Sequence, residues 1–344
     1  MLKPYPDLCS PVSLKSPRGS KLGKAMSNNT TYFHSTDSYI PCDSDDGKSN
    51  PEFYVNAISM GSSILMVLMT PVAVVGNTLI LAALWKKTFH RTSFHILLSG
   101  LALTDFFTGL IAQPFEATGT LMHLANLTAG TDRSLPVVVI QAIGEASSTY
   151  FVSNTVFIIT LISVERWLYM SRRSLVTSRY GHITVVVLLL APIPLAFYRS
   201  IDTVNETFGL ELNISIMAGM LICYLTTSLA YFNVFRIIRR HQQQVQANAP
   251  TQNWAQSAIN VAKYKKSVVT MLYILAVFSF CFLPYIVYVG VHVQSDKKYG
   301  PHVEVIHTLS LMLLFLSSSL NPGLYLWRMN DIRGGVKQLI FSNN

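Results

Sequence analysis

Seven long apolar runs constrain this chain more than anything else in it. They cover residues 57–84, 94–115, 136–164, 183–197, 214–235, 268–291 and 305–326. A helix needs about 20 mostly apolar residues to cross the hydrocarbon core of a bilayer, and these runs meet or approach that length. The first and sixth contain no formal charge. The fourth is the shortest and is bounded by Arg179 and Arg199. Its Pro192 and Pro194 are tolerable in a membrane helix whose neighbours satisfy the freed carbonyls. The expected fold is an all-α membrane protein, a seven-helix bundle.

Composition agrees. Of 344 residues, 50% are apolar and only 12% charged, with a mean hydropathy of +0.37. Soluble domains carry about 25% charged residues, so a cytosolic enzyme, a nucleic-acid binder and a disordered chain are all excluded. Four scattered cysteines, Cys9, Cys42, Cys223 and Cys281, make neither a disulfide framework nor a metal-binding pair. Cys223 and Cys281 lie in apolar runs and read as small packing hydrophobes. Cys9 and Cys42 could pair with each other, unless translation begins at Met26.

Three regions follow. Residues 1–52 form a polar tail rich in Ser, Pro, Asn and Asp, residues 53–328 the membrane bundle, and residues 329–344 a short C-terminal segment. Residues 1–24 have no apolar core and are not a cleavable signal. Residues 329–341 have the pattern of an amphipathic helix on the inner leaflet, with Val336, Leu339 and Ile340 toward lipid and Arg333 and Lys337 toward headgroups.

Charge sets the orientation, because cytoplasmic flanks are enriched in Lys and Arg. With the N-terminus outside, 16 basic residues flank the spans on the inner side and five on the outer. The glycosylation sequons at Asn28, Asn29, Asn126, Asn205 and Asn213 all fall outside, although Asn213 lies very near the membrane. The expected location is the plasma membrane, with membrane lipids as solvent and the N-terminus extracellular.

Ionisable groups inside membrane spans are costly, so each is a functional candidate. Asp105 and Glu116 lie eleven residues apart in the second run. In a regular helix that places them on one face about 16 Å apart, Asp105 deep and Glu116 near the outer mouth. The third run has Glu145 at its outer end and Arg166, preceded by Glu165, about 31 Å away at its inner end. The seventh contains Ser317, Ser318, Ser319, Asn321, Pro322 and Tyr325. For the serines, helix-to-helix hydrogen bonding is an equally good reading.

Gly76-Asn77, the LALTD run ending at Asp105, Glu165-Arg166-Trp167, Tyr231, the FSFCFLPY run from Phe278 to Tyr285 and the NPGLY run from Asn321 to Tyr325 stand in order on successive spans. Together they resemble the rhodopsin-like G-protein-coupled receptors, over about residues 55–340. The sequence departs from that pattern in several places. Gln141 replaces the usual third-span cysteine, and residues 198–212 contain no cysteine to pair with one. The fourth span lacks its tryptophan, Cys223 replaces the fifth-span proline, and Phe282 replaces a tryptophan. The missing disulfide and proline resemble the branch that holds the melanocortin, adenosine, cannabinoid and lysophospholipid receptors.

The resemblance implies a receptor that binds an extracellular ligand in the outer half of the bundle and activates a heterotrimeric G protein at its cytoplasmic face. Arg166 would be a latch held by Glu165, supported on activation by Tyr231 and Tyr325. The sixth helix would swing about Pro284, with Phe278 and Phe282 as the packing switch and Asn321-Pro322 as a second kink. Lys263-Tyr264-Lys265-Lys266 offers no acid to clamp the arginine, so ligand-free activity is expected. Asp105, Thr155, Ser317 and Asn321 match a sodium site, a water-filled network being the alternative. No covalent cofactor is implied.

For the ligand, Ser148 stands where amine receptors carry aspartate, and Phe315 where retinal proteins carry lysine. Glu145 matches an acid used by melanocortin receptors for basic peptides and calcium, and Glu116 lies one residue from their other acid. A cationic peptide or amine-bearing ligand near Glu116, Glu145, Ser148 and Tyr285 is therefore expected. A lipid-sensing or constitutively active receptor of the same fold is the alternative. A transporter is the distant one, since only the seventh span is visibly interrupted. No hydrolase, protease or phosphate-binding motif occurs, so an enzyme is not expected.

Overall fold

The computed structural model describes residues 51–85, 93–131, 134–171, 181–205, 209–247, 273, 276–291 and 300–341. The helices are α1 (Pro51–Trp85), α2 (Ser93–Phe107), α3 (Gln113–Ala129), α4 (Leu135–Met170), α5 (Gly181–Leu190), α6 (Ile193–Asn205) and α7 (Gly209–Ala247). They are followed by α8 (Ala276–Val291), α9 (Pro301–Arg328) and α10 (Asn330–Phe341). No strand occurs among the described residues. Six spans, 52–85, 93–129, 135–170, 183–203, 211–240 and 301–328, are long and apolar enough to cross a bilayer, and α8 is a shorter apolar seventh.

α4 is the central helix, in contact with α2, α3, α5, α6 and α7, while α1 lies against α9, α2 and α3. The main core runs from Ile80 and Leu97 through Val156 and Ile159 to Phe278, Phe282, Leu314 and Tyr325. Large apolar side chains also cover the outside, among them Leu68, Val187, Ile222 and Phe280. Polar residues such as Asn77, Asp105, Asn154 and Thr227 are buried instead. Lipid makes an apolar exterior free of cost, and the polar groups turn inward to find partners.

The Gly-Asn pair of α1 shows how the sequence sets the packing. A Cβ added at Gly76 would lie 2.8 Å from both Cβ and Cγ of Pro322, so only glycine lets α1 approach α9 this closely. Asn77 uses the approach, donating from Nδ2 to the Ser318 carbonyl at 3.1 Å. Ser319 donates to the Met69 carbonyl at 3.3 Å on the same seam. This serine is thus helix-to-helix glue, whereas Ser317 bonds within its own helix, to Leu314 O at 2.6 Å.

Three expectations about the spans are corrected. The second span runs on to Ala129, and residues Thr108–Ala112 form a π turn between α2 and α3. The fourth span is 21 residues long, 183–203, broken at Ala191-Pro192 where the proline removes a backbone donor. Arg199 therefore lies within a helix rather than beyond one. Finally, α10 forms as expected, but it turns Val336 toward the bundle, 5% exposed beside Ile332 at 1%. Contact with α1 and α9 outcompetes lipid for that face, leaving Ile340 and Phe341 outward with Arg333 and Lys337.

The N-terminal tail with Cys9, Cys42, Asn28 and Asn29 and the basic run 263–266 lie outside the described residues.

Candidate functional site

The polar residues singled out in the sequence fall into three groups. The first sits where α3, α4, α6 and α8 meet. Glu116 accepts a hydrogen bond from Ser148 Oγ through Oε2 at 3.0 Å. Ser148 also donates to the Gly144 carbonyl at 2.7 Å. A Cβ at Gly144 would stand 3.1 Å from both Cα and N of Glu116, so that glycine brings the α3 backbone onto α4 and sets the carboxylate beside the serine. Glu145, on the next position, points elsewhere. Its Oε2 accepts from Thr203 Oγ1 at 3.0 Å and lies 3.7 Å from Arg199 Nε. Arg199 also lies 3.7 Å from Asp202 Oδ2 one turn along α6. Tyr285 of α8 is buried beside Arg199. Glu116 has no ion-pair partner among the described residues.

The two acids thus have different surroundings, Glu116 held by a hydroxyl and Glu145 facing a cation. The single-face geometry of Asp105 and Glu116 is corrected. A π turn accommodates one extra residue, which in a regular helix is about 100° of rotation. Asp105 faces α9 and Glu116 faces α4 as a result.

The second group lies midway along the bundle. Asn321 Nδ2 donates to Asp105 Oδ2 at 2.7 Å. Asp105 is 0% exposed, and its other oxygen, Oδ1, is buried without a hydrogen-bond partner. Thr155 and Ser317 are buried at 2% and 5%. Asn77 and Asn154 each bury an unpartnered Oδ1 as well. Among the described residues no cluster of three His, Cys, Asp or Glu side chains could hold a metal.

The third group is at the Arg166 end. The Arg166 guanidinium lies over the Phe94 ring of α2, with Cζ 3.6 Å from the ring centroid. Its Nε is buried without a hydrogen bond. Glu165 is 4% exposed. Tyr231 of α7 and Tyr325 of α9 turn inward, 3% and 0% exposed, and both bury an unpartnered hydroxyl. Phe278 and Phe282 lie one turn apart, their rings tilted by 30° with centroids at 4.3 Å, just before Pro284.

Sequence reasoning missed four residues. Phe94 carries no signal, being one apolar residue among many. Arg199 was counted as a flanking charge, although Asp202 three residues on is a helical pairing signal. Gln113 was passed over because it is not ionisable. Fully buried, it accepts from Thr70 Oγ1 at 3.2 Å and donates to the Phe315 carbonyl at 3.1 Å, joining α1, α3 and α9. Gly144 needs its partner helix to acquire meaning. Among the sequons, Asn126 lies in the last turn of α3 with its Nδ2 buried, and Asn213 is 6% exposed. Asn205 ends α6, and its side chain lies outside the described residues.

Comparison with known proteins gives this arrangement its context. Residues 76–325 match the family described as 7 transmembrane receptor (rhodopsin family). A human protein named probable G-protein coupled receptor 45 is 23% identical over 81% of each chain. The high-affinity lysophosphatidic acid receptor of Xenopus laevis is 22% identical over 79% of each. The histamine H2 receptor of Cavia porcellus is 23% identical, over 80% of this chain and 78% of that one. With the match running from the Gly76 that seats α1 on α9 to the buried Tyr325, the chain belongs to the rhodopsin family of seven-transmembrane receptors.

Proposed function

We propose that this multi-pass receptor stands in the plasma membrane with its N-terminus outside, binds a ligand at the Glu116 end and activates a heterotrimeric G protein at the Arg166 end. One observation carries the reading: α4 holds both polar groups, Ser148 and Glu145 toward one end and Glu165-Arg166 at the other. The 18 residues from Ser148 to Arg166 span about 27 Å, most of a membrane thickness. The excess of basic residues on the Arg166 side supports this orientation.

Glu116, which has no ion-pair partner among the described residues, is the group for a ligand's basic centre, and Tyr285 lies across from it on α8. Arg199 already faces Glu145, so the residues do not fit a calcium ion between the two acids. A sodium ion does fit at Asp105. The orphaned Oδ1 and the hydroxyls of Thr155 and Ser317 are the hard oxygen donors such an ion takes. When bound, the ion supplies charge neutralisation to a carboxylate buried among helices. Arg199 favours a second reading, in which an anionic headgroup binds the guanidinium. The similarity to a lysophosphatidic acid receptor supports looking for such a lipid.

The test is ligand-free activation of each Gα class at verified surface expression, with Arg166→Ala alongside. Activity that Arg166→Ala removes is the expected result; silence across every class and across a ligand panel refutes the proposal. On any agonist found, loss of response in Glu116→Gln supports a basic ligand. Loss in Arg199→Gln alone supports an anionic one.

A further inference from the structure

The resting place of the Arg166 side chain is unusual for a half-buried cation. Its Nε makes no hydrogen bond, yet a guanidinium removed from water needs compensation. Against it lies an aromatic face, the Phe94 ring, 3.6 Å from Cζ. That is van der Waals contact, the range in which a ring quadrupole attracts a cation most strongly. Phe94 is itself 6% exposed and belongs to the main core. It stands in the first turn of α2, with His95 edge-on to it at 5.6 Å. The ring is thus held by the core as well as by the arginine, and the contact ties the start of α2 to the end of α4.

We propose that Phe94 is a positioning residue for receptor activation, an aromatic rest that holds Arg166 off the G protein and sets the level of ligand-free signalling. This inference rests on the G-protein reading above. An arginine that is to meet a G protein must leave the ring, and the energy of the contact biases the receptor against doing so. Cation–π contacts are worth about 1 to 2 kcal/mol at partly to fully desolvated sites. At 1.36 kcal/mol per decade this is about a 5- to 30-fold change in the ratio of active to resting receptor. The ring's π face, not its bulk, carries the effect.

Two measurements test this. In the first, ligand-free GTPγS binding is compared in membranes with matched surface expression for the parent, Phe94→Leu, Phe94→Met, Phe94→Tyr and Phe94→Trp. Leu and Met are expected to raise activity, by up to the factor above, while Tyr stays near the parent and Trp falls to it or below. Activity in Leu or Met equal to the parent overturns the proposal, as does a Tyr variant as active as Leu. Should Leu fail to reach the surface, Met carries the comparison. The second measurement needs no G protein. Thermal unfolding of the purified receptor is followed for Phe94→Leu, Arg166→Leu and the double variant. The double variant is expected to lose less stability than the sum of the singles, and additive losses overturn the contact. A series silent with every Gα class refutes the signalling reading, while this cycle still decides whether ring and arginine are coupled.

Discussion

Gly76→Ala is the sharpest test of the helix packing, because Gly61 in the same helix supplies its own control. An alanine Cβ at Gly76 meets Cβ and Cγ of Pro322 at 2.8 Å, against about 3.5–4.0 Å for relaxed carbon contacts. The pyrrolidine ring cannot rotate away, so α1 and α9 must part by several tenths of an ångström. The next residue, Asn77, then stretches its 3.1 Å bond to Ser318 O. Overpacking costs about 1–3 kcal/mol and the weakened hydrogen bond about 0.5–1.5 kcal/mol. Better helix propensity returns about 0.5–1 kcal/mol. The net loss is about 0.5–4 kcal/mol. At Gly61 a Cβ meets nothing within 4 Å, so Gly61→Ala keeps only the gain. The assay is thermal unfolding of the detergent-solubilised receptor, with surface expression read in parallel. A lowered midpoint for Gly76→Ala and an unchanged or raised one for Gly61→Ala is expected. Equal behaviour of the two variants would refute the close approach.

Gln113→Leu removes the bonds to Thr70 and to the Phe315 carbonyl and is expected to cost about 1–2 kcal/mol of stability, read as a lowered unfolding midpoint; an unaltered midpoint denies the bolt any role. Replacing choline chloride by sodium chloride at equal ionic strength is expected to raise the midpoint of the parent but not of Asp105→Asn, because a ligand of the native state stabilises it. Equal responses of the two proteins rule out an ion at that carboxylate. Asn126→Gln is expected to leave electrophoretic mobility unchanged, since the Asn126 Nδ2 is buried; loss of a glycosidase-sensitive band overturns that geometry.

The spans and motifs were legible because membrane burial writes a strong, local signal. A run such as 57–84 has one physical reading, and Asn321 is recognisable beside Pro322 without any partner in view. What stayed hidden depends on pairs of elements. The 3.6-residue period predicts one face for Asp105 and Glu116, and only the π turn shows that they diverge. Arg199 reads as a boundary charge until α6 is seen to continue through it to Asn205. Phe94 looks like any core aromatic until Arg166 lies across it. Val336 was assigned to lipid because one helix cannot reveal that two others compete for its apolar face.

The π turn at Thr108–Ala112 also has an evolutionary meaning. A helix that carries one residue more than its regular turns need can shed it by a single-codon deletion and remain an unbroken helix. Because the π turn takes up about 100° of rotation that the extra residue would otherwise add, everything beyond the lost codon would keep its direction. Such a deletion would leave Glu116 facing Ser148, whereas the same deletion in a regular stretch of the helix would turn it away by about a quarter turn. The outer half of this helix can thus change in length by one residue and keep its facing, and aligning relatives that lack the turn requires a gap rather than a mismatch.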